Sequence, residues 1–267
     1  MILEYSEKEN LSEMLAVTSA KKVTNVSFKI YEQIEKLYQR FLKKELTYFE
    51  FNGLVNTIID QNIDDISNET DQQLNDNVEK EIKETHKLLK TTAIVAATAI
   101  IAVKTRNKLR ESAILNNPYY ANEFQNVKPA MKSRIIQNVY DIVANNKNMT
   151  EAAQQLNNVK NINGRELQQV FRTMSRDVQT QSMLGTYREN KIKYVRFIAK
   201  VDSRTTKICL SFNGMEFPID DCPEPALHYN CRSIIMPIQE PTGKLRSFRQ
   251  IYIDNSSDRD LGRIKYV

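Results

Sequence analysis

Apolar residues near the start of the chain recur every three or four positions, which is the spacing of a helix that buries one face. The pattern is interrupted near Thr47, so it predicts an amphipathic helix on each side of that residue. The stripe consists of Phe28, Tyr31, Ile34, Leu37, Tyr38 and Phe41, then Phe49, Phe51, Leu54, Val55, Ile58 and Ile59. Residues 60–77 are dominated by Asp, Asn and Gln, and this composition predicts a loop or an exposed helix start.

A long stretch without glycine or proline extends from Asp71 to Leu115. It predicts either one helix about 60 Å long, at about 1.5 Å per residue, or two helices with a kink near Thr91. The longest apolar run of the chain, Ala93–Val103, lies within it. Because this run is well short of the roughly 18–20 residues that a membrane-spanning helix needs, we expect a buried segment and no stable membrane span.

Helical spacing of apolar residues returns after Pro118, first at 135–143 and then at 167–178. Between these segments, Asn161-Ile-Asn-Gly164 has the composition of a turn. The second half of the helical region is therefore predicted to contain several shorter helices.

The periodicity changes near the C-terminus, where residues 194–201 and 233–238 are rich in β-branched and aromatic residues and predict two strands. Asn213-Gly214 and several prolines lie between them. The predicted fold is α+β and mainly α, with long helices in the N-terminal two thirds and a small loop-rich β module near the C-terminus. The predicted regions are a helical partner-facing region with a long helix (1–118), a helical basic region (119–192), a compact Cys/His module (193–238) and a basic tail (239–267).

Charge is spread unevenly along the chain, whose formal net charge is +5. Residues 1–90 have a net charge of −5 and residues 91–267 a net charge of +10. Solvated helix faces are one explanation of the acidic front half, and a protein-binding surface is the other. Residues 165–207 have a net charge of +6, which suits an anionic partner. The candidates for that contact are Arg165, Arg172, Arg176, Arg188, Lys191 and Lys193.

All three cysteines and one of the two histidines fall within 23 positions, as Cys209, Cys222, His228 and Cys231. Thiolate and imidazole ligands suit tetrahedral zinc, and a closed four-ligand site is structural rather than catalytic. Since Met1–Glu7 lacks the segments of a secretory signal, we expect reduced thiols or bound metal instead of a disulfide framework. Two alternatives stay open: buried free thiols beside a hydrogen-bonded His228, and a Cys222–Cys231 disulfide.

An Asp-x-Arg-Thr unit, formed by Asp202, Arg204 and Thr205, lies just before the cysteine cluster. We expect a turn in which the Asp202 carboxylate accepts hydrogen bonds from backbone N–H groups and Arg204 forks onto a carboxylate. The competing hypothesis is an enzyme, either a zinc-dependent hydrolase or a toxin-like transferase that uses Asp202, Arg204 and His228. The structural interpretation is favoured, and we expect no enzymatic activity.

At these residues the chain resembles the bacteriophage minor head proteins, the head-morphogenesis family of the Mu F and SPP1 type. The family's typical ending is Pro-x-His-x-Asn-Cys-Arg followed by Cys or Ser; here one extra residue separates Pro225 from His228, and Ser233 takes the last position. The residues that carry the resemblance are Asp202-x-Arg204-Thr205, Cys209, Asn213-Gly214-x-x-Phe217 and Pro225-x-x-His228-x-Asn230-Cys231-Arg232-Ser233.

The resemblance implies a virion component that binds the portal protein and acts in head assembly and in the packaging or ejection of DNA. It implies a location in the capsid interior or at the portal vertex, and in the host cytoplasm during assembly. The acidic helical half suits a protein partner, with capsid and scaffold proteins as further candidates. The basic back half suits non-specific contact with the phosphates of double-stranded DNA.

Overall fold

The computed structural model describes residues 2–91, 117 and 119–248. The elements of this part of the chain are α1 (Ile2–Leu42), α2 (Tyr48–Thr91), a π-helical segment (Tyr119–Phe124), α3 (Gln125–Ala144), α4 (Met149–Glu189), β1 (Tyr194–Ile198), α5 (Lys207–Phe212), β2 (Glu216–Pro218), a 3₁₀ turn (Ile219–Asp221) and β3 (Ile234–Ile238). The predicted class, α+β and mainly α, is confirmed.

Some predictions fall on residues that the structure does not describe. These are the apolar run Ala93–Val103, the predicted continuation of the long helix to Leu115, and the end of the tail at 249–267. Among the described helices, none combines the length and the apolar composition that crossing a membrane requires.

The predicted break near Thr47 separates α1 from α2. The Glu50 N–H donates to Thr47 Oγ1 at 3.2 Å, and the Thr47 N–H donates back to Glu50 Oε2 at 2.8 Å. This reciprocal pair is a capping box, which satisfies backbone donors that have no partner inside the helix. The side chains of Thr47 and Glu50 therefore cap the N-terminus of α2.

The loop or exposed helix start predicted at 60–77 is wrong, because α2 begins at Tyr48 and continues through this segment to Thr91. Asn62, Ile66, Thr70 and Leu74 follow one another at four-residue spacing, and all four are buried. The buried stripe therefore keeps its helical period while half of these members are polar. A count of apolar residues alone misses such a stripe.

The turn predicted at Asn161–Gly164 is also wrong, since α4 passes straight through it. A Cβ atom on Gly164 would lie 2.8 Å from Cε1 of Phe28 on α1 and 3.3 Å from Cγ2 of Thr24. The glycine therefore lets α1 and α4 approach closely instead of ending a helix.

The three strands form one antiparallel sheet in the order β2–β1–β3. Tyr194 of β1 is paired with Pro218 of β2 and with Ile238 of β3. Val195 and Phe197 of β1 are completely buried, while the alternate residues Tyr194, Arg196 and Ile198 are partly exposed. The two predicted strands are confirmed. The third strand, β2, was not predicted, because a segment of three residues is too short to show a strand pattern in the sequence.

The described residues divide into two compact units. The helical unit comprises Val17–Gln73 and Pro118–Phe171, and the module unit comprises the described parts of Met1–Ala16, Leu74–Asn117 and Arg172–Val267.

Polar and aromatic contacts join the helices inside the helical unit. The Phe51 ring of α2 lies 4.9 Å from the Phe41 ring of α1, measured between centroids. Asn163 of α4 donates a hydrogen bond to the Tyr31 hydroxyl of α1 at 2.6 Å. Arg134 of α3 forms an ion pair with Glu166 at 3.1 Å, so α3 and α4 are also linked.

The module unit places the sheet against helices. Leu88 of α2 packs with Met236 of β3 and Ile198 of β1. The Tyr187 hydroxyl of α4 donates to the Ile235 carbonyl at 3.3 Å. These contacts fix the sheet from which the candidate site is built.

Candidate metal centre

Cys209 is positioned by the short helix α5. Phe212, on the same helix, is buried with its ring 5.7 Å from that of Phe197 on β1 and 6.1 Å from that of Phe217 on β2, both nearly edge to face. These aromatic contacts fix α5 on the sheet. They thereby hold the Cys209 thiol in the interior, where its residue is 2% exposed.

His228 and Cys231 come from one tight turn. The Cys231 N–H donates to the His228 carbonyl at 3.2 Å. Between them Asn230 adopts a left-handed backbone, with φ of 56°, a conformation that asparagine tolerates better than most residues. The Asn230 N–H donates to the Thr173 hydroxyl of α4 at 3.1 Å, so the turn is tied to a helix.

The three side chains converge. The Cys209 Sγ lies 3.1 Å from the His228 Nε2 and 3.7 Å from the Cys231 Sγ, and all three ligand atoms lie within 4.8 Å of one another. In tetrahedral zinc with Zn–S bonds of about 2.3 Å, two sulfur ligands are about 3.8 Å apart. The separation of the two sulfurs therefore fits a shared metal ion, and this Cys2His group can bind one.

The orientation of His228 also suits a metal ligand. Its Nδ1 lies 2.8 Å from the Tyr229 carbonyl oxygen, to which it donates its proton. That assignment of the tautomer follows from the hydrogen-bond partner. The Nε2 is left facing the sulfurs, and a fixed Nδ1–H is the usual outer support of a metal-binding histidine.

The pKa values of the Cys209 and Cys231 thiols are shifted in opposite directions. The hydrogen bond from the Cys209 thiol holds the pKa of Cys231 well below its usual range, and the contact with His228 acts in the same direction. The same bond, together with burial, raises the pKa of Cys209. Cys231 is therefore the thiol of the pair that is favoured to ionise, and the thiolate is the form that binds metal.

Cys222 does not join this group. Its thiol is buried and donates to the Ile219 carbonyl oxygen at 3.4 Å. Burial raises the pKa of Cys222 to about 12, so its thiol stays neutral. The four-residue ligand set expected from the sequence is corrected to Cys209, His228 and Cys231.

The Asp-x-Arg-Thr unit forms the expected turn, but the arginine that binds the carboxylate with its side chain is Arg232 and not Arg204. The Asp202 Oδ1 accepts a hydrogen bond from the Arg204 N–H at 2.8 Å. The Arg204 side chain is 66% exposed, and its Nη2 lies 3.7 Å from Asp202 Oδ2. Arg232 makes the two-pronged contact instead, with distances of 2.6 and 2.5 Å to the two Asp202 oxygens. This pairing with Arg232 holds the pKa of Asp202 well below its usual range.

The three-ligand group bears on the competing enzyme hypothesis. Among the described residues it offers three ligands, and three protein ligands are also the usual number in catalytic zinc sites. Asp202, however, is engaged through both carboxylate oxygens by Arg232. The Asp202 and His228 side chains thus have different partners.

Gly214 forms the turn that leads into β2, with φ of 80°, a value that favours glycine. Its N–H donates to the Phe197 carbonyl at 2.8 Å. The preceding Asn213 accepts a hydrogen bond from the Ala199 N–H through its side-chain oxygen at 2.9 Å. The Asn-Gly turn predicted from the sequence is present, and it connects α5 to the sheet.

Glu216 of β2 lies outside the Cys2His group, and no motif in the sequence pointed to its role. Its carboxylate accepts hydrogen bonds from the Thr242 N–H at 2.8 Å, the Thr242 hydroxyl at 2.6 Å, the Gly243 N–H at 3.2 Å and Arg196 Nε at 3.2 Å. Burial opposes ionisation, but these donors lower the pKa of Glu216 to about 2. Glu216 therefore anchors the first residues of the tail to the sheet. An isolated glutamate in a short strand gives no sequence signal of this role.

The six predicted anion-contact residues differ in exposure. Arg165 is exposed on the helical unit, and the other five belong to the module unit. Arg188, Lys191 and Lys193 are exposed, and Arg188 Nε lies 3.1 Å from Asp220. Arg172 is partly exposed. Arg176 is only 3% exposed, so its assignment as a phosphate contact is wrong, because a buried guanidinium cannot reach DNA.

These features define the class of the protein: a mainly helical chain with a small β-containing module near its C-terminus and a Cys2His group that can hold a metal. Residues 133–236, from α3 to β3, match the family described as Phage Mu protein F like protein. The predicted resemblance to phage head-morphogenesis proteins is thereby confirmed over this segment. No curated protein and no solved structure matches the chain.

Proposed function

We propose that the chain is a portal-associated minor head protein that acts in head assembly and in the packaging or ejection of DNA. The observation that carries this proposal is the Phage Mu protein F like match over residues 133–236, which includes the entire candidate metal centre. A place among head proteins inside the virion fits the same match. The acidic charge of residues 1–90 supports contact with another protein, for which the portal, capsid and scaffold proteins are the candidates.

The experiment is to stop translation of this chain with an early amber codon in the phage that encodes it, and to compare purified particles by protein mass spectrometry and electron microscopy. The proposal predicts the chain in wild-type particles and defective or empty heads in the amber mutant. Tagged protein should also retain the portal protein during purification of assembly intermediates. Normal, infectious particles without the chain would contradict it.

Within this role the metal centre has a structural task. We propose that Cys209, His228 and Cys231 hold zinc, which cross-links α5 to the turn before β3. Zinc stabilises small modules whose apolar core is limited, because the ligands converge only in the folded state. A catalytic use of the open tetrahedral position is the second candidate; hydrolytic activity that depends on zinc and disappears in His228→Ala would favour it.

We also propose non-specific binding of double-stranded DNA through exposed basic residues of the module unit. Lys191 and Lys193 follow α4 and are exposed, with Arg188 beside them. Contacts of this kind depend on salt, since each phosphate contact releases condensed counterions. Replacing both lysines by glutamate should weaken binding and lower the slope of log affinity against log salt by about one for each lost contact.

A matched control is available in the helical unit. Lys43 and Lys44 are an exposed pair, and Lys44 has the same left-handed backbone as Lys191, with φ of 61° and 58° respectively. Fluorescence anisotropy with a short labelled duplex compares the two double Lys→Glu variants at rising salt. The proposal predicts a loss for the Lys191 and Lys193 variant only, and equal affinities in both variants would contradict it.

A further inference from the structure

One ion pair joins the two segments that carry the metal ligands. Asp202 lies in the loop before α5, which holds Cys209, while Arg232 directly follows Cys231. The Arg232 Nη1 lies 2.6 Å from Asp202 Oδ2, and its Nη2 lies 2.5 Å from Oδ1. A two-pronged contact of this kind fixes orientation as well as distance.

The Asp202 end of this pair is held in place by its own loop. The Asp202 N–H donates to the Thr205 hydroxyl at 2.8 Å, and that hydroxyl donates to the Lys200 carbonyl at 2.5 Å. The Arg204 N–H donates to Asp202 Oδ1 at 2.8 Å. Because the loop sets the carboxylate before it meets the guanidinium, little conformational freedom is lost when the pair forms.

The Arg232 end is buried in the module. Its residue is 8% exposed, so the guanidinium is shielded from water, and screening by salt is weak. The neighbouring Cys231 Sγ is one of the two sulfurs that lie 3.7 Å apart. A shift of Arg232 would therefore change the separation of the two thiols directly, since its backbone is continuous with that of Cys231.

We propose that Asp202 is a positioning residue for the metal centre: through Arg232 it holds the Cys209 segment and the His228–Cys231 turn at the separation that a metal ion requires. This inference rests on the proposed zinc site and assigns the Asp-x-Arg-Thr unit a task in it. Residues that orient metal ligands from outside the coordination sphere typically contribute about 10–100-fold to metal affinity. Loss of the Asp202 charge should weaken zinc binding by that factor.

The test uses Asp202→Asn in the full-length protein, with Glu216→Gln as the matched control. Asparagine keeps the oxygen that accepts the Arg204 N–H but loses the charge and one of the two acceptors for Arg232. Glu216→Gln makes the same chemical change in the same module, at a carboxylate whose partners are Arg196, Thr242 and Gly243. Zinc affinity is measured by competition with a chromophoric chelator, and cobalt spectra at saturation report the ligands.

The expected result is a loss of about 10–100-fold in zinc affinity for Asp202→Asn, an affinity for Glu216→Gln within about threefold of wild type, and wild-type cobalt bands in both variants at saturation. A third variant, Arg232→Lys, keeps the positive charge but replaces the planar fork by a single ammonium; it too should bind zinc at least several-fold more weakly. Equal zinc affinities in wild type, Asp202→Asn and Arg232→Lys would overturn the inference. Failure of wild type to bind zinc or cobalt would instead overturn the proposed metal site.

Discussion

Gly164 offers a sharp test of the packing between α1 and α4. An alanine Cβ there would lie 2.8 Å from Cε1 of Phe28, which is closer than real Cβ contacts, and it would also lie 3.0 Å from Cζ of Phe28 and 3.3 Å from Cγ2 of Thr24. Thr24 cannot move freely, because its hydroxyl donates to the Ala20 carbonyl at 2.7 Å and its residue is 1% exposed. The Phe28 ring must shift, and it also carries Lys160 Nζ 4.5 Å from its centroid.

Two opposing effects set the magnitude of Gly164→Ala. Alanine favours a helix interior over glycine by about 1 kcal/mol, while overpacking a filled site typically costs about 1–3 kcal/mol. We therefore expect a net destabilisation of about 0–2 kcal/mol. Gly53 in α2 supplies the control, since a Cβ at that position would have no atom within 4 Å. Gly53→Ala should thus stabilise the protein by about 0.5–1 kcal/mol.

The difference between the two variants isolates the clash, because the gain in helix propensity is common to both. It should be about 1–3 kcal/mol, or several degrees in Tm at about 2–4 °C per kcal/mol for a chain of this size class. Thermal unfolding followed by circular dichroism measures it. If Gly164→Ala raises Tm as much as Gly53→Ala does, the close approach of Phe28 to Gly164 is refuted.

Two further predictions concern the module unit. Phe212→Ala removes the buried ring between Phe197 and Phe217 and should cost about 3–5 kcal/mol, measured by chemical denaturation; a loss below about 1 kcal/mol would contradict its place in this core. Glu216 has its pKa lowered to about 2 in the folded protein, so its contribution to stability is complete above its ordinary pKa and is lost as pH falls through the lowered one. The stability gap between wild type and Glu216→Gln should therefore be widest above about pH 5 and shrink towards about pH 3, and a gap independent of pH would be inconsistent with a buried, ionised anchor.

Local patterns in the sequence predicted much of the helical framework. Ile34 and Ile59, both members of the apolar stripe, are buried as expected. The failures at 60–77 and at Gly164 have one cause: polar residues and glycine are usual in loops, yet here they occupy buried helical positions. Whether Asn62 or Thr70 faces a loop or a neighbouring helix depends on tertiary contacts, which local spacing does not encode.

The sequence predicted the position of the candidate site but not all of its contacts. The crowding of Cys209, His228 and Cys231 in the sequence located the cluster correctly. It could not exclude Cys222, because the direction of a thiol depends on the 3₁₀ turn at Ile219–Asp221 that bends the chain just before it. The sequence also led us to expect that Arg204 makes the two-pronged contact with a carboxylate. The observed partner of Asp202 is Arg232, which lies 30 positions away and so is not suggested by local spacing.

The burial of Arg176 also depends on tertiary contacts that the local sequence does not show. Its charge placed it with the basic residues of the segment, but α4 is buried on several sides after Arg172, and residues 173–180 are all buried. This enclosed part of α4 carries polar and charged residues, among them Arg176 and Asp177, into the interior. Charge counts along a sequence therefore overestimate the basic surface.

We propose above that a Cys2His group holds zinc within residues 133–236, the segment that matches the Phage Mu protein F like family. The most direct test is the metal content of purified wild type, Cys231→Ser and Cys222→Ser, measured by inductively coupled plasma mass spectrometry. We predict one zinc ion per chain in wild type and in Cys222→Ser, and its loss in Cys231→Ser. No zinc in the wild type, or equal loss of zinc in Cys222→Ser and Cys231→Ser, would contradict it.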